Sequence, residues 1–234
     1  MNTPTHDHIV KSYDAEIARL AGEIAAMGEL ATAQLDAAMD ALHKRDSRAA
    51  QRVADNDDAL DAREREISQD VLRLLALRQP IARDLREILA ALRIASDLER
   101  IGDYAANVAK RAIGLNLSAP VPLASGLTTL TTLAGELVRE VLRAYATRDA
   151  QRAHAAWRRD TELDALYTGL FRELLTYMME DARSITACTH LLFIAKNIER
   201  IGDHATNIAE EIWFLVYAEP LKRARERGDI SPGV

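Results

Sequence analysis

Apolar residues recur along this chain at three- and four-residue spacing, as in Ile94, Leu98, Ile101, Ala105 and Val108, and again in Ile194, Ile198, Ile201, Ala205 and Ile208. That spacing is the period of an amphipathic helix. Alternation of period two is almost absent and no Asn-Gly hairpin signal occurs, so strands are not expected. The pattern predicts six long helices, at about 8–43, 47–77, 80–113, 123–146, 149–179 and 184–218. Asp46 or Ser47 in "KRDS" is suited to cap the second helix, and Pro80 in "RQP" suits a helix's first turn. The stretch "GLNLSAPVPLASG" (114–126) gathers Gly, Pro, Ser and Asn and reads as the connection between two halves. The tail 219–234 is charged, then rich in Gly and Pro, and is expected to fray.

The halves repeat one another. "DLERIGDYAANVA" (97–109) and "NIERIGDHATNIA" (197–209) agree at eight of 13 positions, and "DDALDA" (57–62) matches "DTELDA" (160–165). Short connections between long helices imply antiparallel neighbours. The expected fold is therefore all-α, two tandem three-helix bundles over 8–116 and 120–218, each long enough to bury its own apolar stripe.

The repeated block raises a chemical question. At about 100° per residue, Glu99, Asp103 and Asn107 share one helix face, opposite the apolar stripe, and Glu199, Asp203 and Asn207 do the same. Asp57 and Asp61, with Asp160 and Asp164 in the second half, lie beside the stripe of the preceding helix. One reading is a solvated face paired with Arg100 and Arg200. The other starts from repulsion: carboxylates at i,i+4 disfavour the helix by a few tenths of a kcal/mol, and a cation relieves it. Glu, Asp and Asn are oxygen ligands suited to hard ions. Gly102 and Gly202 each weaken their helix by roughly 1 kcal/mol relative to Ala, which close helix–helix approach explains and which would draw the acid-bearing helices together.

Composition narrows the classes. Net charge is −6, with basic residues interspersed among acids, so no nucleic-acid footprint is expected. Cys188 is the single cysteine, which excludes a disulfide framework and fits a buried small residue. The N-terminal segment lacks the apolar core of a secretory signal, and no run approaches the roughly 20 apolar residues of a membrane span. A cytoplasmic protein without membrane insertion is expected. None of the six histidines follows Glu by three residues, as a ferritin-like di-iron site requires. Gly-x-Gly-x-x-Gly and Gly-Lys-Ser/Thr loops are absent, which argues against nucleotide hydrolysis. His204 lies off the acid row, and Trp157 and Trp213 read as core or interface anchors.

The twin "ERIGD" blocks with their following Asn, the "RQP…DLR" junction (Arg78–Pro80, Asp84–Arg86) and the early "H…K.YDAEI" segment resemble the PhoU family of bacterial regulators of phosphate uptake. The resemblance spans about 6–217. It implies two three-helix bundles and metal ions on carboxylate clusters, with Asp57, Asp61, Glu99 and Asp103 as ligands in the first half. In the second half it implies Asp160, Asp164, Glu199 and Asp203. The ion is left open among iron, manganese, magnesium and zinc. It further implies a non-enzymatic negative regulator, a homodimer, that links the ATPase subunit of a high-affinity phosphate ABC transporter to a phosphate-sensing histidine kinase. The chain departs from the pattern at Ser184, where Asp84 has no acidic counterpart. Two other readings stay open: a metal-dependent hydrolase or redox enzyme using the clusters, and a purely structural helical adaptor.

Overall fold

The computed structural model describes residues 5–56, 58–78, 80–121 and 124–221. Regular structure among the described residues is entirely helical: α1 (Thr5–His43), α2 (Ser47–Asp55), α3 (Asp58–Arg78), α4 (Ala82–Asn116), α5 (Ala124–Thr147), α6 (Ala150–Glu180), a 3-10 turn (Ala182–Ser184) and α7 (Ile185–Tyr217). The expected all-α fold of two three-helix units holds, with one change. The second predicted helix is interrupted at Asn56, where the chain ends α2 and α3 follows. Asp55, Asn56 and Asp58 bear short polar side chains that compete for backbone hydrogen bonds. Their repeat counterparts are Arg158, Arg159 and Thr161, and α6 runs through them unbroken.

The ends of the other helices match expectation in one place and differ in others. Asp46, rather than Ser47, caps α2 by accepting from the backbone N–H groups of Arg48 and Ala49 at 2.9 Å each. The stretch 114–126 is mostly helical at its two ends, since α4 continues to Asn116 and α5 begins at Ala124. Gly114 is not a terminator: a Cβ there would stand 2.5 Å from Cε1 of His190 on α7, so it is a bare patch for close packing. Pro80 precedes α4 instead of opening it. The predicted tail lies, from 222 onward, outside the described residues.

Helices α4 and α7 form the broadest helix–helix contact and join the halves. They are antiparallel, because Arg93 of α4 pairs with Glu211, Asp97 with His204, and Arg111 stacks on Phe193. The two predicted stripes lie in the core. Ile94, Leu98, Ile101 and Val108 are fully buried, as are Ile194, Ile198, Ile201 and Ile208. Each such side chain contributes about 1.5–3 kcal/mol on burial. The buried residues form one continuous cluster through both halves. Cys188 lies within it and is a free thiol. Arg45, at positive φ in the α1–α2 turn, donates to the carbonyls of Leu115, Asn116 and Ser118, closing the C-terminal end of α4.

Candidate metal centre

Helices α3 and α4 touch because Gly102 has no side chain. A Cβ at Gly102 would stand 2.2 Å from Cδ1 of Leu60, which is itself buried. The repeat reproduces the device: a Cβ at Gly202 would stand 2.1 Å from Cδ2 of Leu163. Leu60 precedes Asp61, so the contact that seats the leucine also draws Asp61 beside the acid row of α4. Gln34 of α1 donates to the carbonyl of Gly102 at 3.2 Å and holds the same point from the other side.

Asp61, Glu99 and Asp103 each place a carboxylate oxygen within 4.8 Å of the other two. The row is less solvated than helical geometry alone suggested. Side-chain exposure is 19% for Glu99, 27% for Asp103 and 39% for Asp61, so the groups line a groove between two helices. Asn107, one turn on, is exposed. Asp57, the fourth first-half position, lies outside the described residues.

The cost of this arrangement appears in the acidity of Glu99, whose pKa is pushed up to about 7. Burial is the largest cause, the Asp103 carboxylate the next, and Asp61 adds to both, while the Arg100 guanidinium opposes them. Arg100 stands 3.4 Å from Glu99 and 3.1 Å from Asp103, and Arg65 stands 3.7 Å from Asp61, all with well-exposed side chains on the outer rim. The donor set is three oxygens from negative groups, spaced within 4.8 Å. Hard cations hold oxygen ligands at roughly 2.0–2.6 Å, so ligands on one ion stand up to twice that apart. The first-half residues fit such an ion.

The second row is different. Asp160 is buried at 1% exposure, packed where its Oδ1 would stand 3.2 Å from a Cβ on Gly202. Asp164 and Asp203 are half-buried, and Glu199 has 13% side-chain exposure. No group of three from this row meets the spacing that Asp61, Glu99 and Asp103 meet. Instead the Lys196 ammonium stands 2.7 Å from Glu199 Oε2, and Arg200 stands 3.7 Å from Asp203. Burial raises the Glu199 pKa, the Lys196 ammonium opposes this, and Asp203 adds to the rise. The repeat counterpart of Lys196 is Ser96, which is exposed.

Sequence reasoning passed over Lys196 and Asp97. Asp97 lies on the α4–α7 contact, where its Oδ1 is 2.8 Å from His204 Nδ1 and accepts from Asn207 Nδ2 at 3.1 Å. His204 also packs against Tyr104, its own repeat counterpart, with ring centroids 5.6 Å apart. The signal lay in departures from the repeat: Ser96/Lys196, Asp97/Asn197 and Tyr104/His204 are all unlike pairs. Trp157 is buried and donates to Glu210 at 3.0 Å, as an anchor should. Among the described residues no helix is long and apolar enough to cross a membrane.

Comparison with known proteins agrees with this fold. The family model described as the PhoU domain matches twice, at residues 24–112 and 127–212. A Xylella fastidiosa protein named phosphate-specific transport system accessory protein PhoU homolog is 58% identical over 100% of this chain and 99% of its own. A Rhizobium meliloti protein of the same name is 48% identical, covering 97% and 96%. The crystal structure of PhoU from Pseudomonas aeruginosa superposes with a TM-score of 0.85 at 39% identity, covering 88% of this chain and 100% of that one. The phosphate transport system regulatory protein PhoU from Streptococcus pneumoniae gives 0.83 at 28% identity, covering 90% and 99%.

Proposed function

We propose, from the premise that this chain belongs to the PhoU family, that it is a non-enzymatic accessory regulator of phosphate uptake. The observation that carries this reading is similarity over the whole chain to proteins named as accessory to a phosphate-specific transport system. In the finer reading the chain works in the cytoplasm as a homodimer. It contacts the ATPase subunit of a phosphate ABC transporter and a phosphate-sensing histidine kinase, and holds both down when phosphate is plentiful. The repeat units 8–116 and 120–218 serve as its two bundles.

Asp61, Glu99 and Asp103 would hold a hard cation, and the spacing of their oxygens supports that reading. Such an ion, when bound, would offset most of the charge on the three carboxylates and tie α3 to α4. The protein's own contribution is the pre-set approach of those helices through Leu60 and Gly102, and a rim of arginines that limits excess negative charge. Those same Arg100 ion pairs favour a second reading, a purely structural adaptor whose acids need no ion.

A strain lacking the chain, complemented with the wild type or with Glu99→Gln/Asp103→Asn, tests both parts. Loss of the chain is expected to raise phosphate-starvation transcription and phosphate uptake in high phosphate, and the wild type to restore repression. Uptake and transcription unchanged by the deletion would overturn the regulatory reading. Full repression by a double variant that has lost its metal would leave the adaptor reading.

A further inference from the structure

The two acid rows descend from one repeat, yet only one has an ammonium group built into it. Lys196 sits three residues before Glu199 on α7, half-buried, with Nζ 2.7 Å from Glu199 Oε2 and 5.3 Å from the centre of the Tyr167 ring on α6. It therefore bridges the α6 and α7 sides of the groove, the same two sides that a bound ion would tie together. Ser96, at the matching place in the first half, cannot do so: its side chain is short, uncharged and exposed. Tyr167 supplies the negative face of an aromatic ring to the same charge. Asp164, the counterpart of Asp61, does not join Glu199 and Asp203 in a cluster of three, and Asp160 is buried beside Gly202.

We infer that Lys196 takes the place of a metal ion in the second row, so that each chain offers one hard-cation site, at Asp61, Glu99 and Asp103, and one row neutralised from within. The inference rests on the metal reading above and assigns it to one half. An ion in the Glu199 groove would have to expel an ammonium group that is already within hydrogen-bonding distance of the carboxylate. In the first groove the competing cations are arginines on the rim. The protein thus has one half whose acid row responds to metal supply and one whose acid row does not.

Manganese titration calorimetry on dialysed full-length protein, with bound metal counted by elemental analysis, tests this. The wild type is expected to bind a single strong equivalent. Glu99→Gln with Asp103→Asn should remove it. Ser96→Lys, which gives the first half the second half's lysine, should weaken it by about tenfold or more. Circular dichroism checks that each variant remains helical. Two comparable equivalents in the wild type, one of them surviving in Glu99→Gln/Asp103→Asn, would overturn the inference and leave the metal reading standing. Full-strength binding by a folded Ser96→Lys protein would also overturn it. No uptake by the wild type would refute the metal reading itself, and the assignment with it.

Discussion

Leu60 Cδ1 occupies the space that a side chain on Gly102 would need, 2.2 Å from where its Cβ would stand. This contact sets the distance between α3 and α4, and so the distance from Asp61 to Glu99 and Asp103. Two effects oppose each other on replacement of Gly102 by Ala. Helix propensity favours Ala by roughly 1 kcal/mol. Overpacking a full core typically costs about 1–3 kcal/mol, and Leu60 is fully buried. Gly102→Ala is expected to lower stability by about 1 kcal/mol net and to weaken manganese binding by moving Asp61 outward. Urea denaturation and a metal titration read the two effects. A variant more stable than the wild type with intact binding would show that the glycine does not set the site.

The acid row acts against the metal-free fold, so removing charge from it should not unfold the protein. Glu99→Gln with Asp103→Asn keeps the side-chain shapes while relieving i,i+4 repulsion of a few tenths of a kcal/mol and the burial of the Glu99 charge. The chelator-treated double variant is expected to melt at or above the wild-type temperature and to gain nothing from added manganese. A sharp fall in its melting temperature would mean that the carboxylates hold the fold by other means.

Acidity offers an independent check. In the folded protein Glu99 has a pKa of about 7, above the ordinary 4.5. Between those values the native state binds a proton that the unfolded chain lacks. The corresponding stability is fully present below the ordinary value and is lost as pH rises through the folded one. Glu199 shifts in the same direction. The urea midpoint of chelator-treated wild type should therefore fall between about pH 5 and pH 8, and Glu99→Gln should flatten the slope. Equal slopes in the two proteins would contradict the assigned acidity. Metal uptake has the opposite dependence, because protonation of Glu99 removes a ligand.

The joint between the halves has its own test. Asp97 Oδ1 is the partner of both His204 and Asn207, so Asp97→Ala strips two polar groups at once. Its cost is expected near 1–2 kcal/mol, with His204→Ala costing less, since a net hydrogen bond is worth about 0.5–1.5 kcal/mol. The double variant should cost less than the sum of the singles, as contacting residues do. Strict additivity would show that the pair does not couple α4 to α7.

Local order in this protein is written in one dimension. The 3.6-residue period, the repeat of "ERIGD" and the interposed turn residues determined the helical class, the two units and the acids that belong together on each helix, because each depends only on spacing along the chain. Even the close approach at Gly102 and Gly202 was legible, since a glycine in a long helix calls for a reason. What only the tertiary structure decided depends on how each helix is rotated and slid against its neighbours, which the packed side chains control. Rotation turned Glu99 and Glu199 into grooves instead of toward solvent. Axial register brought Asp61 to Glu99 and Asp103, and set Asp97 of one half against His204 of the other. The same register set Lys196, one turn before Glu199 on α7, against the Tyr167 ring of α6, where the first half has only the short Ser96, so two rows nearly identical in sequence became chemically different sites.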